Sequence, residues 1–153
     1  MRGPNVFAGY WRNPGATKAA FADGWLLTGD LAERDEEGYY RIVGRLKDLV
    51  ISGGENIYPA EIEDVLHAHP AVYEAAVVGV PDERWGEVCL AFVALRKGGA
   101  EADEEVLLEW CRTRLARFKV PKGVRFVDEL PRSAMNKVLK DELRAGVADK
   151  VVR

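Results

Sequence analysis

The rhythm of apolar positions changes near residue 46. Before it, apolar residues come in short pieces separated by turn formers such as Gly3-Pro4-Asn5 and Arg12-Asn13-Pro14-Gly15. Trp25-Leu26-Leu27-Thr28 and Tyr39-Tyr40-Arg41-Ile42-Val43 read as strands, and Glu33 to Gly38 reads as a polar hairpin turn. Asn13 to Phe21 reads as one short helix. This stretch has too little consistent periodicity to bury a core by itself. It is expected to be the tail of a larger neighbour.

From Leu46 onward the pattern predicts a domain. Leu49-Val50-Ile51 is a short strand, broken by Gly53-Gly54. Pro59 sits at the favoured first position of a helix, and Ile62, Val65 and Leu66 then recur at helical spacing until Pro70. Ala71 to Val80 and Val88 to Leu95 are apolar strands joined by a polar loop, Pro81 to Gly86. Asp103 is a fitting cap for a second helix, whose expected buried stripe is Val106, Leu107, Trp110 and Leu115. A strand over Val124 to Val127 and a helix over Asp141 to Val147 complete the chain. The predicted class is α+β, with helices on a short sheet of about three strands plus a β-hairpin, preceded by a β-rich remnant.

Composition narrows the function. Among 153 residues, 48% are apolar, which supports a real core. A net charge of −3 speaks against nucleic acid as a partner. No apolar run approaches the roughly 18 residues that suggest a membrane span, and the first residues lack the apolar core of a secretory signal. Cys89 and Cys111 lack metal-ligand spacing and are expected to be buried, reduced thiols of a cytoplasmic protein. No metal-ligating residue is predicted.

Four stretches carry candidate chemistry. In Thr28-Gly29-Asp30, a carboxylate after a glycine at a strand end is placed to accept hydrogen bonds from a sugar diol, although such a residue also suits a plain turn. Gly44-Arg45-Leu46-Lys47-Asp48 joins the two halves and also has the composition of a solvated linker. In Ser52-Gly53-Gly54-Glu55-Asn56-Ile57-Tyr58-Pro59, the paired glycines allow close approach of a ligand to the backbone, or a tight turn alone. Pro131-Arg132-Ser133-Ala134-Met135-Asn136-Lys137 is a basic loop before the last helix.

In this order and spacing, and over nearly the whole chain, the four stretches resemble the later core motifs of the acyl-CoA synthetase, adenylation-domain and luciferase superfamily. Gly9-Tyr10-Trp11 through Pro14, Thr17 and Phe21 resembles the motif before its ribose-binding strand. The resemblance implies that Asp30 and Arg45 contact the ribose of ATP and of the acyl-adenylate. It implies a hinge over 44–48 centred on Lys47, between the end of an amino-terminal domain (1–43) and a mobile carboxy-terminal domain (49–153). Gly53 and Gly54 would face CoA, with Gly54 lining the pantetheine channel. Lys137 would contact the reacting carboxylate and the α-phosphate. A strongly charged ammonium there bridges two anions brought together in the adenylation step. Asn136 stands where the family usually has glycine, and Asn tolerates left-handed backbone better than most residues.

The implied enzyme is an AMP-forming acid–thiol ligase using a carboxylic (fatty) acid, ATP, Mg2+ and CoA. The Ser52-to-Pro59 wording favours CoA over a carrier-protein thiol. The Ser/Thr/Gly-rich phosphate loop and acyl pocket of that family lie in its amino-terminal domain and are not in this sequence, so the chain is expected to be inactive alone, with ATP and Mg2+ held mainly by that domain. The competing readings are a non-catalytic interaction module whose Lys137 is the target of a lysine acetyltransferase, and an adenylation domain of a peptide synthetase.

Overall fold

A computed structural model describes residues 1–98 and 102–151, with side chains described as far as Val147. The chain forms two compact units, Met1–Lys47 and Asp48–Arg153.

The first unit holds helix α1 (Pro14–Ala20), strands β1 (Phe21–Ala22) and β2 (Trp25–Leu26), and the antiparallel pair β3 (Asp30–Arg34) and β4 (Tyr40–Arg45). Asn13 caps α1 by accepting a hydrogen bond from the Ala16 N–H, and Pro14 fills the first helical position, where its missing N–H costs nothing. The strand expected over Trp25 to Thr28 is confined to Trp25–Leu26. Glu33 and Arg34, expected in a turn, belong to β3, and the turn proper lies between Arg34 and Tyr40. The polar character of Glu33 and Arg34 hid a strand whose outer face meets solvent.

The second unit is built on a ten-pair antiparallel ladder between β7 (Val72–Asp82) and β8 (Gly86–Leu95). Before it come β5 (Val50–Ser52), β6 (Glu55–Ile57) and helix α2 (Pro59–His67). After it come α3 (Glu104–Arg112), β9 (Gly123–Phe126) and α4 (Lys140–Val151). Strand β9 runs parallel to β8, with α3 in the crossover. The β5–β6 hairpin joins the edge of β8 through Ser52 opposite Gly86. The order is therefore β6-β5-β8-β7, with β9 also paired to β8.

The long apolar runs of β7 and β8 follow from burial on both faces. On one face Ile62, Leu66, Leu107, Leu108 and Cys111 of α2 and α3 pack with Val77, Ala91 and Val93. On the other, Leu143 and Val147 of α4 pack with Ala76, Val78, Val80 and Phe92. The expected stripe on α3 needs one correction: Val106 faces solvent, and Leu108 and Cys111 take its place in the core. Both cysteines are free and buried. The α+β class holds. The strand β6 had no sequence signal, because Glu55 and Asn56 are exposed and only Ile57 points inward.

Candidate functional site

Asp30 and Arg45 open β3 and close β4, where the register places them directly opposite one another. Arg45 Nε lies 2.9 Å from Asp30 Oδ1, in a half-exposed ion pair. The Asp30 N–H donates to Thr28 Oγ1 (3.2 Å), and the Leu46 N–H donates to the Gly29 carbonyl (2.8 Å). Two residues 15 apart in sequence thus share one polar end of a hairpin. Among the described residues the second oxygen of Asp30 has no hydrogen-bond donor, which leaves it free for a hydroxyl. Lys47 sits in a 3-10 turn, Leu46–Asp48, and is exposed.

Gly53 and Gly54 form the two-residue loop of the β5–β6 hairpin, both with positive φ (58° and 89°). That is the pattern of a type I′ turn, which matches strand twist and excludes most side chains. The two glycines differ in surroundings. A Cβ on Gly53 would lie 2.8 Å from the Trp85 ring, and the Gly53 N–H donates to the Trp85 carbonyl (2.8 Å). A Cβ on Gly54 would meet nothing within 4 Å.

Trp85 opens a groove of roughly 870 Å³ lined by Ser52, Gly53, Trp85, Phe118, Lys122 and other residues of the second unit. Its cations are Arg84, Arg112, Arg117 and Lys122. Arg112 pairs with Glu105 and Glu109 of its own helix. Among the described residues the other three have no carboxylate within ion-pair distance. Arg84 stacks over the Trp85 ring at 4.7 Å. The Asp82 carboxylate fixes the loop by accepting from the Trp85 and Arg84 N–H groups (2.9 Å each). Those two bonds hold its pKa below the ordinary 3.8. Cys89 also borders the groove, and burial pushes its thiol up to about 12, which makes it a packing group rather than a nucleophile.

Apart from Ser52 and Gly53, these groove residues were missed in the sequence. Trp85, Phe118 and Lys122 lie in short irregular segments with no periodicity, and only the fold brings them together.

Lys137 projects from a tight turn. The Ser133 N–H donates to the Lys137 carbonyl (2.8 Å), the Lys137 N–H to Ser133 Oγ (3.2 Å), and the Asn136 N–H to the Ser133 carbonyl (2.9 Å). Asn136 has φ 64°, the left-handed conformation that its side chain type tolerates. At the base of the turn, Arg132 and Val138 form a β-bridge. Lys137 is exposed, and among the described residues no carboxylate pairs with its ammonium. Lys140, one turn on, is by contrast held 2.6 Å from Glu63. Among the described residues no group of three or more His, Cys, Asp or Glu side chains could hold a metal ion, and no helix is long and apolar enough to cross a membrane.

The profile of the family described as "AMP-binding enzyme C-terminal domain" matches residues 61–137. A feruloyl-CoA synthase of Amycolatopsis sp is 54% identical over 94% of this chain and 29% of its own length. ATP-bound MatB from Rhodopseudomonas palustris is similar in structure, with a TM-score of 0.85 at 52% identity over 95% of this chain and 29% of that one. The o-succinylbenzoate CoA synthetase from Bacillus subtilis, in complex with its acyl-adenylate intermediate, gives a TM-score of 0.87 at 45% identity over 94% of this chain and 29% of that one. The chain thus spans about 29% of the length of the relatives it matches.

Proposed function

The chain belongs to the family of the AMP-binding enzyme C-terminal domain, and from that premise we propose that it is the carboxy-terminal part of an AMP-forming acid–thiol ligase of the cytoplasm. Residues 1–43 end the amino-terminal domain, 44–48 are the hinge, and 49–153 are the mobile domain. The enzyme joins a carboxylic acid of the aryl or fatty type to CoA through an acyl-adenylate. ATP and Mg2+ are held mainly by the rest of the protein.

The observation that carries this reading is Lys137: an ammonium without a carboxylate partner among the described residues, on a turn fixed by its own backbone. An unpaired cation held in place is suited to lie between a carboxylate and an α-phosphate and to offset their charge as they approach. The half-exposed Asp30–Arg45 pair offers an acceptor and a donor to a ribose diol. The second step needs a place for CoA, whose phosphates require cations and whose adenine suits an aromatic face. The groove beside Gly53 offers Arg84, Arg117 and Lys122 with Trp85 and Phe118. The exposed Gly54 turn leaves room for the pantetheine arm at its rim.

The test is acid-dependent ATP–pyrophosphate exchange by this chain expressed with its natural upstream region. The acids are ferulate, 2-succinylbenzoate and a series of fatty acids. Exchange is expected with at least one acid, and Lys137→Ala is expected to lower it on the order of a hundredfold to a thousandfold. Exchange indifferent to Lys137, or none with any acid, would favour a non-catalytic interaction module, with Lys137 open to acetylation.

A further inference from the structure

Apolar packing does not hold the tip of the Lys137 turn. Its tip residue, Met135, is 90% exposed, and Ala134, Asn136 and Lys137 are exposed as well. Its internal hydrogen bonds fix its shape but not its direction relative to the sheet. Leu130 and Val138 anchor the two ends of the turn in the core, and one side chain ties the turn itself to the neighbouring strand β7. Arg132 Nη1 donates to the Asn136 carbonyl (2.8 Å), one peptide bond from Lys137. The other terminal nitrogen, Nη2, pairs with Glu74 Oε1 on β7.

Each part of this link has a reason in the backbone. The register of β7 on β8 shifts between Val72 and Glu74, an irregularity of the kind that re-aims a side chain. It leaves Tyr73 exposed and Glu74 mostly buried against Arg132. The left-handed Asn136 closes the turn so that its carbonyl comes within reach of Arg132. The guanidinium is planar, so grasping the carbonyl with one arm and the carboxylate with the other sets both the distance and the angle between turn and sheet.

We propose that Arg132 is a positioning residue for Lys137, with Glu74 as its anchor. The proposal rests on the reading of Lys137 given above. It assigns to the sheet of the mobile domain the job of aiming the ammonium. A misplacement of about 1 Å at a reacting centre can cost a hundredfold.

The experiment uses the chain with its natural upstream region and separates two half-reactions. One is acid-dependent ATP–pyrophosphate exchange, and the other is thioester formation from supplied acyl-adenylate and CoA. Arg132→Gln and Glu74→Gln are expected to lower exchange about tenfold to a hundredfold through kcat, while thioester formation stays within about twofold of wild type. Arg132→Gln added to Lys137→Ala is expected to cost nothing more, because both act through one group. Arg132→Lys keeps the charge without the fork; it is expected to fold normally and still to lose exchange.

Wild-type exchange in Arg132→Gln alongside collapse in Lys137→Ala would overturn the proposal and leave the Lys137 reading intact. A parallel fall of both half-reactions, or additive losses in the double variant, would show a merely structural role and overturn it too. Exchange unaffected by Lys137→Ala would remove the Lys137 reading, and the positioning role with it.

Discussion

From Val50 onward the chain buries side chains on both faces of one sheet, whereas Met1–Lys47 has no fully buried residue. Both units contain strands in register and turns with the right residues. Only one contains a core. In the first unit Tyr10, Trp11, Trp25, Tyr39, Tyr40 and Ile42 are exposed, and the order comes from ladders, caps and the Asp30–Arg45 pair. In Met1–Lys47 strand pairing is thus present without burial among the chain's own residues, and the candidate chemistry falls on both sides of the division.

The strongest way to break that contrast is to truncate one large side chain to alanine in each unit. Leu107→Ala, in the core cluster with Leu66 and Val124, is expected to lower unfolding free energy by about 2 to 5 kcal/mol. Tyr40→Ala, at a residue 72% exposed, is expected to change it by less than about 0.5 kcal/mol. Urea denaturation of this chain reads both, and equal losses would erase the distinction.

Charge pairs sharpen it further. Glu63 Oε1 accepts the Val77 N–H (2.7 Å) and faces Lys140 at 2.6 Å, so one carboxylate ties α2 to β7 and α4. Glu63→Ala is expected to cost about 1 to 3 kcal/mol, since it strips a shielded donor of its acceptor. Asp30→Asn, in the more exposed pair, is expected to cost less than about 1 kcal/mol in the same denaturation assay. A large loss from Asp30→Asn would mean that the hairpin depends on the ion pair rather than merely displaying it.

The smallest effect concerns pH. The pKa of Asp82 in the fold lies below its ordinary 3.8, because the Trp85 and Arg84 N–H groups favour the ionised form. Its contribution is therefore complete above the ordinary value and is lost as pH falls through the lower folded one. Trp85 fluorescence, compared with that of Trp85→Phe, is expected to stay constant down to about pH 4 and to change only below it. A change centred near pH 6 would show that another group holds the loop.

Legibility in the sequence followed the same division. The helix at Pro59, the Asp103 cap and the apolar strands of β7 and β8 were readable, because each rests on local chemistry or strong periodicity. Val106 was misplaced because it is adjacent to Leu107 and both were assigned to the buried stripe, whereas packing buries Leu107 and leaves Val106 exposed. Strand β3 was hidden by its own solvent-facing charges. Of the candidate residues, Asp30 and Arg45 proved to be partners in space, which their spacing alone did not reveal. The aromatic and cationic side of the groove around Trp85 and the Arg132–Glu74 link were not readable, since the groove brings Ser52 together with Lys122 and the link joins residues 58 apart in sequence.

The Gly53-Gly54 turn has a stereochemical consequence. At Gly54 the backbone bars an L side chain while the surrounding space would admit one. The site is therefore selective for chirality rather than for size: a D-alanine placed there by chemical synthesis suits the positive φ without strain. Translation offers no residue of the opposite hand, and glycine meets the positive φ at position 54 without strain.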